Sequence, residues 1–140
     1  MTFPLAGLLR ARGAQERMAA EDLARAGAAR ATAESDAAQA LAGLAEIGER
    51  VDDAGMLLAM AAARAAGRSA LADLQTLAEL RRVEEEQAKT AHVEARREMR
   101  GLERLEDAHR SESIAAELRT EQTALDEIAV ERSRRDGSAA

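Results

Sequence analysis

The stretch Leu71-Ala72-Asp73-Leu74-Gln75-Thr76-Leu77-Ala78-Glu79-Leu80-Arg81-Arg82-Val83 sets a large apolar residue at every third position among polar and charged ones. Such recurrence gathers the apolar residues on one side of a helix. Val93, Met99, Leu102 and Leu105 carry the pattern on, and Ile114, Leu118, Leu125 and Ile128 close it. In that closing part Glu121 completes a four-three-four-three spacing. The phase shifts between Leu105 and Ile114, so a strict heptad is broken there and any supercoil is irregular. No β-branched run with a period of two occurs, so no strand is expected.

Upstream of this stretch, Leu5, Leu8, Leu9, Arg12, Glu16, Ala19, Leu23 and Ala26 form a second, weaker helical stripe. Leu41, Leu44, Gly48, Val51 and Leu58 extend it with heptad-like steps. Pro4 sits where a first helical turn tolerates proline, and Thr2 is a candidate N-cap. Two breaks lie between the stripes. Asp52-Asp53-Ala54-Gly55 combines a capping residue with a helix-weakening one, and Gly67-Arg68-Ser69 combines a C′ glycine with a capping serine. Either can be the turn of a hairpin. The expected single domain therefore has helix 1 at about 4–52, a tip at about 52–69, helix 2 at about 70–133 and a frayed end at 134–140.

Composition agrees with long helices. The hydrophobic fraction is 46%, but aromatic residues make up only 1%, with Phe3 alone, so a thick core is not expected. Alanine supplies much of that fraction and has the highest helix propensity. Charged residues at 33% complete a composition typical of coiled coils. Glu21/Arg25, Glu46/Arg50, Glu85/Lys89, Glu106/Arg110 and Glu131/Arg135 are Glu-before-basic pairs four apart, each worth about 0.2–0.5 kcal/mol to a helix. The fold class is all-α: an elongated antiparallel two-helix coiled-coil hairpin. A helix of about 50 residues is roughly 75 Å long.

Several function classes are disfavoured. A net charge of −6 argues against a general nucleic-acid binder. There is no cysteine, hence no thiolate chemistry and no disulfide framework. No phosphate-binding glycine loop is present. His92 and His109 are the only histidines, too few for a zinc site built on nitrogen and sulfur ligands. Glu84-Glu85-Glu86 reads as an exposed charge run, and a two-helix rod has little room for a pocket that perturbs pKa values. No catalytic residue, metal or cofactor is expected. The longest apolar stretch, Gly55 to Ala63, is too short to span a membrane, and the run Phe3 to Leu9 lacks the basic lead of a signal peptide. The expected location is the cytoplasm. Arg10, Arg12, Arg17, Arg25 and Arg30 make the N-terminal part basic, whereas residues 34–60 carry six acids against Arg50. These are ordinary solvated faces or, alternatively, a basic end that meets an acidic protein surface.

Both ends of the chain carry a resemblance. Phe3-Pro4-Leu5-Ala6-Gly7-Leu8-Leu9-Arg10-Ala11-Arg12, followed by Glu16, Ala19, Ala20, Leu23 and Ala26, resembles the opening of the FliJ family of flagellar export proteins. Glu121-Gln122-Thr123-Ala124-Leu125-Asp126-Glu127-Ile128-Ala129-Val130-Glu131-Arg132 is similar to the family's closing motif. The length and the mid-chain break fit as well, while the alanine-rich middle departs from typical members. The resemblance implies a coiled-coil stalk of the type III protein export apparatus that serves motility. Its implied partners are the hexameric flagellar export ATPase, the cytoplasmic domain of the membrane export gate, and export chaperones. It would be peripheral to the inner face of the cell membrane through those partners, at the flagellar base. On this analogy Leu125, Asp126, Glu127, Ile128 and Arg132 meet the ATPase, with Leu8, Leu9 and Arg12 opposite them, and the hairpin tip faces the gate. Leu125 and Ile128 can equally be seam residues. The alternatives are the stalk of a virulence-type secretion ATPase and a generic homodimeric coiled-coil scaffold.

Overall fold

A computed structural model of the chain describes residues 2–48 and 50–139. They form two helices, α1 (Ala6–Ala45) and α2 (Ala54–Ser138), and no strand among the described residues. The helices pack against each other as a helical hairpin. The chain divides into two packed units, Ala14–Arg96 and a second that joins the residues before Ala14 to those after Arg96.

In the Ala14–Arg96 unit the two helices run antiparallel. Their cross-helix contacts descend on α2 as they climb α1: Glu16 with His92, Arg30 with Glu85, Glu34 with Arg82, and Leu44 beside Gly67. Partly protected residues on α2 fall at Met60, Arg64, Gly67, Leu71, Leu74, Ala78, Arg81, Glu85, Ala88, His92 and Ala95, alternating steps of four and three. The facing residues of α1 include Glu16, Ala19, Leu23, Ala26, Arg30, Ala33, Ala37, Ala40 and Leu44. Among the described residues only Ala33 and Ala78 are buried, at 4% and 5% exposure. Alanine and glycine in the seam let two backbones approach, and they leave little apolar area to bury.

The turn falls at the earlier of the two candidate breaks. Asp53 caps α2, its Oδ1 accepting the Met56 N–H at 2.7 Å. This is the N-cap geometry that short acidic side chains favour. At the end of α1, the Glu46 N–H donates to Ala42 O at 3.1 Å, and the Ile47 N–H donates to Leu44 O in a tightened final turn. Arg64 reaches back from α2 and donates to Gly48 O at 3.2 Å.

The expected second break is not a turn. Gly67-Arg68-Ser69 lies inside α2, so helix 2 begins at Ala54 rather than near 70, and helix 1 ends at Ala45 rather than near 52. Gly67 is there for a different reason. A Cβ at that position would stand 2.5 Å from Leu44 Cδ1, so glycine makes room for Leu44 in the seam. α2 is helical to Ser138, past the expected end of helix 2 near 133.

In the second unit, the Ala6 N–H donates to Phe3 O at 3.1 Å and the Leu9 N–H to Leu5 O at 2.9 Å, so α1 starts after Pro4 and Thr2 does not cap it. Phe3 rests against His109, ring centroids 5.6 Å apart and tilted by 55°. Arg12 Nη1 pairs with Glu98 Oε2 at 2.5 Å. The partly protected positions Met99, Leu102, Glu106, His109 and Ser113 keep the same alternating steps. Residues 114–139 are all exposed.

Candidate partner-binding surface

The residues expected to meet a partner lie in the second unit, which places them as follows. Leu8 is 43% exposed, and Leu9 is partly protected. Arg12 turns to Glu98. Leu125 and Ile128 are 61% and 54% exposed. Asp126 Oδ1 accepts a hydrogen bond from Gln122 Nε2 at 2.9 Å, while Glu127 and Arg132 stand in solvent.

The expected pairing of Leu8, Leu9 and Arg12 with the Leu125–Arg132 group does not occur. The chain start meets α2 near His109, and Arg12 already lies at Glu98. From His109 to Leu125 the helix climbs sixteen residues, roughly 24 Å at 1.5 Å per residue. With α1 beginning at Ala6, no α1 residue is left to pair with that far end.

Leu125 and Ile128 are therefore not seam residues, and they have company. Ile114 and Leu118 are 52% and 60% exposed and sit on the same side, with Glu121 between the two apolar pairs. These three were legible only as a continuation of the seam. The signal that sets them apart is the phase shift after Leu105, because α2 keeps its seam phase through Ser113 while the apolar stripe does not. Val130 adds a further apolar side chain at 50% exposure, in an open furrow with Thr123, Asp126, Glu127 and Glu131.

The paired part of the hairpin has a different chemistry. Arg30 Nε holds Glu85 Oε2 at 2.6 Å, and its Nη1 holds Glu34 Oε2 at 2.7 Å. Arg82 Nε holds the other oxygen of Glu34 at 2.8 Å and reaches Glu79 at 3.2 Å. Gly27 leaves space for Glu85, since a Cβ there would stand 3.3 Å from Glu85 Oε1. The hydrogen bond from Arg82, helped by the charge of Arg30, holds the Glu34 carboxyl below the usual glutamate range. The same bond raises the Arg82 guanidinium further. His92 Nε2 lies 3.0 Å from Glu16 Oε1, both side chains about four-fifths protected. Shared, interlocked carboxylates of this kind fix register: sliding one helix past the other separates several ion pairs at once.

The expected intrahelical pairs form in part. Glu131 with Arg135 and Glu106 with Arg110 are present at 2.7 Å and 3.9 Å. Arg25 takes Asp22 instead of Glu21, and Lys89 takes Glu86 because Glu85 is committed across the seam. Glu86 holds the Lys89 ammonium above the usual lysine range.

Among the described residues no side chains converge to hold a metal ion, and no charged side chain is fully buried. No helix is long and apolar enough to cross a membrane among the described residues. After Ser113 the described surface is a continuous exposed helical face. No family model, curated protein or solved structure matches the chain.

Proposed function

We propose that this chain is a non-enzymatic, FliJ-like coiled-coil stalk of the flagellar type III protein export apparatus. In this role it links the hexameric export ATPase to the membrane export gate and to export chaperones, working in the cytoplasm at the inner face of the membrane. The observation that carries the reading is the exposed helical end after Ser113, with Leu125 and Ile128 open to solvent. A helix that runs on past its partner, bare and apolar-striped, suits docking against another protein. The resemblance at both chain ends supplies the identity of that protein. The gate assignment rests on the resemblance alone.

The test is ATP hydrolysis by the export ATPase of the same source, with and without this protein. The reading expects stimulation, and expects its loss in the double variant Leu125→Ala/Ile128→Ala while circular dichroism stays unchanged. Absence of both stimulation and co-elution would leave a coiled-coil scaffold as the better description, with a stable homodimer in sedimentation as its mark.

A further inference from the structure

The seam of α2 ends at Ser113, and its steps would next fall on Ala116, Thr120, Thr123, Glu127 and Val130. Those positions are mostly small or polar. The apolar residues instead occupy Ile114, Leu118, Leu125 and Ile128, all exposed by more than half. At about 100° per residue this stripe lies about 150°, nearly half a turn, around the helix from the seam positions. A longer α1 would not cover it. The stripe belongs to a different partner, one that approaches from another side.

The middle of the stripe says what that partner is not. Glu121 stands at the centre, two apolar residues before it and two after. Pairing with a second copy through this face, parallel in register or antiparallel about the centre, sets one Glu121 against the other. Two carboxylates facing each other in an apolar seam repel. Glu121 has no ion pair among the described residues, and Glu112, Glu117, Asp126, Glu127 and Glu131 outnumber Arg119 and Arg132 around it. The charge asks for a cation opposite.

We infer that the segment after Ser113 docks by Ile114, Leu118, Glu121, Leu125 and Ile128 into an apolar groove of a protein that presents a basic side chain to Glu121. The inference rests on the export-stalk reading for the identity of that protein, and it adds the face, its orientation and the partner's chemistry. Helix-in-groove recognition uses anchors at this spacing. Glu121 gives specificity in both directions, favouring a basic-centred groove and rejecting self-association.

The experiment uses the full chain, the export ATPase of the same source and two variants, Glu121→Leu and Leu118→Ser/Leu125→Ser. All these positions are exposed on a helix, and retained helicity is checked by circular dichroism. In sedimentation equilibrium the native chain should stay monomeric and Glu121→Leu should dimerise. In binding to the ATPase, Glu121→Leu should weaken the complex about tenfold and remove most of its salt dependence. Leu118→Ser/Leu125→Ser should abolish detectable binding, whereas the seam-phase control Ala116→Ser/Thr123→Ser should leave it unchanged. A Glu121→Leu chain that remains monomeric, or stripe variants that bind as tightly as the native chain, would overturn the inference. If the native chain does not bind this ATPase, the stalk reading fails on its own, and the sedimentation arm still decides whether the face is a docking stripe kept single by Glu121.

Discussion

Between Met60 and Ala95, α2 partly protects Arg64, Arg81, Glu85 and His92 beside Leu71, Leu74 and Leu77, while Leu80 and Val83 stand 52% and 46% exposed. After Ser113 the same helix shelters nothing, yet carries four large apolar residues in a regular stripe. The difference separates two jobs that a helix can do. In the first region, pairing relies on alanine and glycine for closeness and on interlocked arginines and glutamates for register. In the second, the large apolar side chains stay in solvent, the surface that the proposed function assigns to a partner. A thin, polar seam gains little from burial, so its specificity comes from charge placement.

The sharpest way to break this comparison is to place one new charge in each region. Ala78→Asp puts a carboxylate at a buried seam position and should cost about 3 kcal/mol, read from urea unfolding followed by circular dichroism. Ala124→Asp, on the exposed end, should change stability by less than about 0.5 kcal/mol. Equal losses would mean that the end is packed after all.

Gly67→Val comes next. Its side chain would collide with Leu44 and should cost about 1–3 kcal/mol, even though valine suits a helix interior better than glycine. The same change at Gly101, where a Cβ meets nothing within 4 Å, should be neutral or mildly stabilising.

These two predictions also mark how far the fold was legible from residues alone. The two helices, the Asp53 cap and the antiparallel return follow from apolar spacing and local capping chemistry, both properties of neighbouring residues. The turn position and the seam did not follow. Gly67 reads as a stop until Leu44 is seen against it, and Leu80 reads as a seam leucine until Ala78 is found buried in its place. Glu85, His92 and Arg30 owe their seam roles to each other, and no local pattern ranks a charged residue above leucine. At the candidate surface, Leu125 and Ile128 were identifiable by resemblance, but their exposure follows from the phase of α2, whose seam steps would fall on Thr123, Glu127 and Val130 instead.

Acid should act on the paired region selectively. The Glu34 carboxyl is held below its ordinary value by Arg82 and Arg30, so its contribution is present above about pH 4.3 and lost as pH falls through the lower folded value. The urea midpoint should drop on going from pH 7 to pH 3, and Glu34→Gln should make that drop smaller. A variant with the same pH response as the native chain would remove Glu34 from the account. The smallest effect is expected at Ile128→Ala, which should leave the urea midpoint nearly unchanged while weakening partner binding.

Amide hydrogen exchange on the full chain, alone and with the export ATPase, tests the central claim most directly. Alone, amides of residues 114–138 should exchange much faster than those of residues 60–95, since unpaired helix opens locally at low cost. With the ATPase, protection should rise in residues 114–138 and stay level in the paired region. Slow exchange after Ser113 in the free chain, or new protection confined to the paired helices, would contradict the division of α2 into a self-paired part and a partner-binding part.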